Sequence, residues 1–280
     1  MSQVSRWRNL GGSWLQNPLC GGTSMVEPKR PDYGIDAPVV VRNLFLVAVI
    51  GLSGWSIITI GVRSGWFSVP AYVLGFAGMG FGTGIVCALM GIWMVWESKV
   101  GKLRSRNRLL QRIPWTGSEH VLDVGCGRGL MLIGAAKRLT TGKATGIDIW
   151  QDEDLSGNRI EATLENVRCE VVADRVDVQT ADMRRMPFPD SSFDVVLSRA
   201  VIHNLYKADE RDQAIREIAR VLKPGGRAVI EDIRHHKKYT RVFIENGCSE
   251  VRQERSIIVY WIWTLATFGS VRPAVLVVRK

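Results

Sequence analysis

Val121-Leu-Asp-Val-Gly125-Cys-Gly127-Arg-Gly129-Leu130 decides the fold. Its apolar start reads as a strand, its glycines as a tight turn, and Leu130–Leu139 as the helix that follows. Glycines let the backbone take positive φ and let a ligand come close to it. The helix start offers free N–H groups and positive potential, which suits a carboxylate. The spacing is Gly-x-Gly-x-Gly rather than the Gly-x-Gly-x-x-Gly of dinucleotide-binding turns, and Asp123 precedes it on the strand. A pyrophosphate would not favour that carboxylate, whereas a ligand with an amino group and a sulfonium tolerates it. A nicotinamide-dependent oxidoreductase is therefore disfavoured.

Outward from this turn, short apolar runs alternate with helical stretches. That alternation predicts a parallel sheet covered on both faces, an α/β doubly wound domain. Strands are expected at His120–Val124, Lys143–Asp148, Arg175–Gln179, Phe193–Ser198 and Arg227–Ile233, with a final pair near Glu250–Arg255 and Ala274–Val278. Helices are expected at Leu155–Val167, Glu210–Leu222 and His236–Asn246. Asp148 closes the second strand in Thr145-Gly-Ile-Asp-Ile149-Trp150, where a carboxylate can accept hydrogen bonds from a ribose diol. Asp182, in Ala181-Asp-Met183, lies just past the third strand, within reach of an adenine amino group or free to cap a turn. Asp194 reads as an anchor for the start of its own strand.

With these segments in place, the chain resembles the class I S-adenosylmethionine (SAM)-dependent methyltransferases. It is most similar to the small type-11 domains, which include the ubiquinone and menaquinone biosynthesis C-methyltransferases. The matching segments are VLDVGCGRG, GIDIW, ADMRRMPFPDSSFDVVLS and EIARVLKPGGRAVIEDI, in order from about His120 onward. The resemblance implies a Rossmann-like seven-stranded sheet with one antiparallel strand near the C-terminus, and SAM as cofactor across the strand ends. It implies that Asp123, Gly125 and Gly127 face the methionine part, with Cys126 and Gly129 in the same loop. Asp148 and Ile149 go to the ribose, Asp182 and Met183 to the adenine, and Ser198 and Arg199 to the neighbourhood of the methyl donor. Cys126 reads as a small packing residue, not a nucleophile.

His203, in Ser198-Arg-Ala-Val-Ile-His-Asn-Leu205, follows the fourth strand, where the family places acceptor-side residues. An ordinary histidine pKa of about 6.5 suits a general base near neutral pH. Capping or packing of the next helix is the alternative role. His235 and His236 could line the same acceptor pocket. No metal-ligand spacing occurs, and Cys20, Cys87, Cys126, Cys169 and Cys248 suggest no disulfide framework.

The first part of the chain lies outside the resemblance. Asn43–Val62 and Ala71–Trp96 carry no charge, and each is long enough to span a bilayer. They predict a transmembrane α-helical hairpin in residues 39–96, with Gly51, Ser53 and Gly54 facing Gly78, Gly80, Gly82 and Gly84. Residues 1–38 read as a flexible Gly/Pro/Ser-rich tail, 97–118 as a basic amphipathic linker, and 119–280 as the methyltransferase domain. The net charge of +10 is concentrated at Lys99, Lys102, Arg104, Arg106, Arg108 and Arg112, which predicts contact with anionic lipid headgroups rather than nucleic acid. Lys29, Arg30 and Arg42 flank the first helix, whereas the connector holds only Arg63, so both termini and the catalytic domain are expected to be cytoplasmic. The acceptor reads as a small or lipid-soluble molecule, with Ile257–Phe268 as an apolar lip, a membrane-touching surface, or sheet edge and core. A non-catalytic SAM-binding module and a membrane scaffold are the competing classes. A chain starting near Ser98 is expected to be soluble and to bind SAM. Oligomeric state is not encoded in any of these patterns.

Overall fold

The computed structural model describes residues 30–267 and 269–280. Cys20, Lys29 and the first 29 residues of the tail lie outside the described residues. Two helices open the structure, α1 (Pro38–Arg63) and α2 (Ala71–Trp96), each of 26 residues. At 1.5 Å per residue each runs about 39 Å, against a hydrocarbon core of about 30 Å. Both are long and apolar enough to cross a membrane. They pack along each other where side chains vanish. A Cβ on Gly51 would sit 2.3 Å from the Gly80 carbonyl oxygen, and one on Gly84 would sit 3.1 Å from that of Ala48. The side chains of Ile50, Ile57, Phe76 and Leu89 point outward, exposed. An added Cβ on Gly54, Gly80 or Gly82 would meet open space, so of these only the Gly80 backbone takes part in the seam.

α2 continues through one π-helical turn, Glu97–Gly101, into α3 (Lys102–Leu110). The basic amphipathic linker expected at residues 97–118 is thus largely helical, and its Leu109, Leu110 and Ile113 are buried in the core of the sheet domain. The basic run is not one solvated face either. Lys99 pairs with Asp32 at 2.9 Å, Lys102 is buried against Asp36 at 3.2 Å, and Arg112 pairs with Glu254 at 2.7 Å.

The strands are β1 (His120–Val124), β2 (Lys143–Asp148), β3 (Val176–Thr180), β4 (Phe193–Arg199), β5 (Leu222–Asp232), β6 (Glu250–Glu254) and β7 (Ala274–Arg279). They form one seven-stranded sheet in the order β3-β2-β1-β4-β5-β7-β6, with β7 antiparallel to both neighbours. α3, α4 (Leu130–Ala136) and α5 (Ile160–Cys169) cover one face, and α6 (Ala208–Val221) and α7 (His236–Glu245) the other. The strand order reverses between β1 and β4, so a crevice for ligand falls at the carboxyl ends of those two strands.

Two segments depart from expectation. Leu155–Arg159 is a loop, and α5 begins only at Ile160. Ile257–Ala266 is a helix, α8, not sheet edge or core: Ile257, Val259 and Trp261 are exposed. It leaves from the carboxyl edge, because β6 ends there at Glu254 and β7 begins there at Ala274.

Residues 30–37 are not a free tail. Tyr33 is buried, and its hydroxyl donates to Glu170 at 2.9 Å. Asn166 exchanges two hydrogen bonds with Asp32, its Oδ1 accepting the Asp32 N–H at 2.9 Å and its Nδ2 donating to the Asp32 carbonyl at 2.8 Å. Asp36 forms a bridge with Leu155, and the Ala37 N–H donates to the Asp154 carbonyl at 2.9 Å. The buried Lys102 ammonium donates to the carbonyls of Tyr33 at 2.7 Å and Gly34 at 2.8 Å. Residues 30–37 are thus a strap that lies along α5, from Glu170 and Asn166 to the Asp154–Ser156 loop at the carboxyl edge, immediately before α1.

Candidate active site

The glycine loop is shaped by backbone conformations that L side chains avoid. Gly125, Gly127 and Gly129 have φ of 70°, 51° and 85°. The N–H groups of Gly125 and Cys126 both donate to the Ile147 carbonyl, at 2.9 and 3.0 Å, which hooks the loop onto the end of β2. A Cβ on Gly125 would lie 2.5 Å from Val201, and one on Gly127 would lie 2.8 Å from Leu155. Gly125→Val is expected to abolish cofactor binding in a chain that still folds, as titration calorimetry with SAM would show. Retained affinity would remove the loop from the site.

Asp123 is buried beneath the loop, and one carboxylate oxygen accepts the Leu132 N–H at 2.8 Å. Its role here is to hold the start of α4, not to line a surface. Burial, reinforced by the nearby Asp148 charge, pushes its pKa up to about 7. The folded chain therefore holds this proton more tightly than the unfolded chain. The associated stability is present below the ordinary value of 3.8 and is lost as pH rises towards 7. Asp123→Asn should flatten that decline in denaturant midpoints measured between pH 4 and 7. An unchanged slope would rule out Asp123 as its source. Burial likewise pushes the Cys126 thiol well up, which suits a packing residue and not a nucleophile.

Asp148 is nearly buried and already holds protein donors. Its Oδ2 accepts the Gly127 N–H at 2.8 Å. Its Oδ1 accepts the Trp150 N–H at 2.7 Å and the Asn158 Nδ2 at 3.3 Å. A carboxylate has about four acceptor positions, so one stays open for a ribose hydroxyl. Ile149 beside it is partly exposed at the edge. Asn158 was not singled out from the sequence. Its Oδ1 is buried with no hydrogen-bond partner among the described residues, while its Nδ2 is fixed on Asp148 and the Gln151 carbonyl.

The adenine-side residues are more self-contained than expected. Both Asp182 oxygens are engaged by the Arg184 guanidinium at 2.6–3.0 Å, which holds the carboxyl below its usual range. Met183 packs its side chain into the core. Ser198, at the end of β4, is buried, and its hydroxyl has no hydrogen-bond partner among the described residues. Arg199 turns away to Glu231 at 2.8 Å and Asp36 at 3.8 Å, so its side chain ties β4 and β5 to the strap instead of facing a methyl donor.

His203 sits in a short 3₁₀ turn, Ile202–Asn204, just after β4. Its Nδ1 lies 2.6 Å from Oδ1 of Asp232, the last residue of β5, and its backbone N–H donates to Oδ2 of the same carboxylate at 3.1 Å. Asp232 is almost fully buried and also accepts the Ile233 N–H at 2.7 Å and the Tyr239 hydroxyl at 3.3 Å. This locks the ring and leaves Nε2 as its other nitrogen. Asp232 was missed from the sequence. The available signal was a second acid, after Glu231, closing an apolar strand opposite His203. His236 is buried with Nε2 2.8 Å from the Asp232 carbonyl oxygen, so it is a packing residue rather than part of an acceptor lining.

The site is thus a crevice at the switch point of a methyltransferase-type sheet. It has a glycine loop, acids at two strand ends, two unsatisfied buried oxygens and an oriented histidine. Those features fit SAM: glycines where its methionine part needs close backbone approach, and acceptors for its hydroxyl and amino groups. Among the described residues no cluster could hold a metal ion.

Residues 122–230 match the family model described as a methyltransferase domain. Methyltransferase GfsG of Streptomyces halstedii is 36% identical over 130 residues, covering 46% of this chain and 43% of that protein. A ubiquinone/menaquinone biosynthesis C-methyltransferase of Geotalea daltonii is 33% identical over 126 residues, covering 45% of this chain and 50% of that protein. The chain spans about half the length or less of the curated relatives it matches. The crystal structure of the cyclase SpnF superposes with a TM-score of 0.50 at 21% identity, over 64% of this chain and 80% of that one. That likeness establishes the fold alone.

Proposed function

We propose that the chain is a membrane-anchored, SAM-dependent methyltransferase whose acceptor is a lipid-soluble molecule bearing an ionisable proton. The observation that carries this reading is that the roots of both apolar helices join the edge of the sheet that bears His203. Pro38 follows directly on the strap, whose Ala37 is hydrogen-bonded to Asp154. Ser98, two residues beyond α2, accepts the Asp36 N–H at 3.1 Å. Arg199 joins Asp36 to Glu231 at the ends of β4 and β5. α8, with its exposed Ile257, Val259 and Trp261, leaves from that edge too. A site so placed opens towards whatever the hairpin is embedded in. The Geotalea daltonii relative, by its name, serves ubiquinone and menaquinone biosynthesis, and quinones partition into membranes.

Gly125, Gly127, Asp148 and Asn158 would hold the cofactor, with Ser198 near its reacting end. Bound there, SAM supplies an electrophilic methyl group on a positively charged sulfur. The chain's own work is alignment and proton removal. His203 Nε2 accepts the acceptor's proton, while Asp232 keeps the proton of Nδ1 in place and stabilises the imidazolium. The excess of basic residues flanking the hairpin over the single Arg63 in its connector supports a cytoplasmic strap and catalytic domain, with Ser64 and Gly65 outside.

The test is methyl transfer from labelled SAM by the full chain in vesicles, offered quinones, phenols, sterols and small thiols. Label in the lipid-extractable products supports the reading. SAM binding without transfer to any acceptor would leave a cofactor-binding module instead. Single cysteines at Ser64 in the connector and at Arg30 in the strap, probed with an impermeant reagent on intact cells, test the orientation. Modification at position 30 but not 64 would invert it.

A further inference from the structure

A cavity of about 330 Å³ lies between the strap and the continuous helix that leaves α2, away from the strand-end crevice. Its charged lining is Arg30, Lys99, Lys102 and Arg106 against Asp32 and Glu170. The two acids are also answered by cations that do not line it. Arg128 reaches Asp32 at 3.3 Å, and Lys137 pairs with Glu170, which also accepts the Tyr33 hydroxyl. Lys102 is fully spent on the strap.

Arg106 is different. Its Nε donates to its neighbour Asn107 at 3.2 Å and its guanidinium faces the Tyr33 hydroxyl and the Glu170 carboxylate, but Nη1 is buried without a hydrogen-bond partner among the described residues. A buried guanidinium N–H left unpaired is costly, and its natural complement is an oxyanion. Lys99 beside it is half exposed at the mouth, its pair with the half-exposed Asp32 at 2.9 Å being a solvent-screened one that a phosphate can displace. The cavity's height in the fold matters as well. Lys99 comes three residues after Trp96, where α2 ends, and Arg30 comes eight residues before α1 begins at Pro38. The mouth of the cavity, at Lys99, therefore lies near the roots of the two apolar helices, within reach of lipid phosphates when those helices span a bilayer. Arg106 lies about 15 Å beyond Trp96 along the same helix, deeper in the domain.

We propose that this cavity binds a phosphate ester, and that the ester is the headgroup of an anionic phospholipid. The phosphate would take the Arg106 Nη1 donor and the Lys99 ammonium. The lipid source rests on the membrane reading of the hairpin. The anion site does not, because it depends only on the cavity and its donors. Occupied, it would fasten the strap and the helix root together at the membrane surface, beside the cofactor loop that the strap supports.

The full chain in detergent, titrated with phosphatidylglycerol, phosphatidylcholine and inorganic phosphate and read by native mass spectrometry, separates the alternatives. Wild type should retain phosphatidylglycerol about tenfold better than phosphatidylcholine, and Arg106→Gln should lose that preference. Lys99→Gln, at a half-exposed position whose pair with Asp32 is solvent-screened, should weaken it in the same direction, so a misfolded Arg106 variant cannot decide the result alone. Displacement of phosphatidylglycerol by millimolar inorganic phosphate supports recognition of the phosphate itself. Phosphate binding that both variants weaken, with no preference between lipids, overturns the lipid source and assigns the site to a soluble phosphate ester. Equal lipid and phosphate retention by wild type and both variants overturns the site.

Discussion

A chain starting at Ser98 is expected to lose cooperative folding of the catalytic domain, and cofactor binding with it, although the residues assigned to the cofactor from the sequence all lie beyond that point. Two things go with the strap. The core loses Tyr33, and removing a buried aromatic side chain typically costs about 3–5 kcal/mol. Lys102 stays buried while losing both carbonyl acceptors and Asp36, and a buried charge stripped of its partners costs a further 3–5 kcal/mol or so. Domain stabilities are about 5–15 kcal/mol in all, so the sum approaches the whole. The Leu155–Asn158 loop, which rests Leu155 against Gly127 and Asn158 against Asp148, also loses its pairing with Ile35 and Asp36. Urea denaturation of the Ser98-start chain, followed by tryptophan fluorescence, should show no sigmoidal transition, and calorimetry should show no SAM binding. In the full chain, Tyr33→Ala should lower the midpoint strongly. Lys102→Met should be much milder, because it removes the charge together with its need for partners. A Ser98-start chain that unfolds cooperatively and binds SAM at wild-type affinity would reduce the strap to a surface decoration.

The strap also marks where the sequence stopped being legible. The glycine loop, the acid closing β2 and the seven strands could be read because each is written locally, in strand alternation and in turn residues. Residues 30–37 carry no such periodicity. Their bonds go to Asn166, Ser156 and Lys102, far along the chain, and composition alone made them look like tail. Lys102 was hidden for the opposite reason. It stands in a run of basic residues, yet the α3 turn that carries it faces the strap, and the fold buries one cation while Arg104 two residues on stays exposed. Asp182 illustrates a third kind of failure. The motif placed it correctly past β3, but not its side chain, which Arg184 two residues later holds. α8 was obscured because a ten-residue run with nine apolar residues fits a strand, a core segment or a short helix equally well until exposure decides.

Asp232→Asn is expected to lower turnover by roughly 10²–10⁴-fold while leaving SAM affinity near wild type, the same range expected of His203→Ala. Asp232 touches neither substrate nor cofactor in this scheme; it acts on His203. As a carboxylate it can only accept hydrogen bonds, so the ring facing it at 2.6 Å must carry its proton on Nδ1, which leaves Nε2 as the acceptor. An amide at this position can turn its NH₂ towards Nδ1, moving the ring proton to Nε2, where it blocks the base. The two backbone donors, from His203 and Ile233, and the Tyr239 hydroxyl compete for the single remaining amide oxygen, so the turn should also loosen. A purely structural Asp232 would lower stability and SAM affinity together. A positioning Asp232 instead lowers kcat with little change in SAM affinity and shifts the limb of the pH–rate profile that His203 governs. Tyr239→Phe is the companion measurement. It removes one neutral donor from Asp232 and should change turnover by less than tenfold, because the charge facing His203 remains. An acceptor whose reacting atom is already ionised at working pH would make turnover indifferent to both Asp232→Asn and His203→Ala, and that outcome would remove the base from the mechanism while leaving the cofactor site intact.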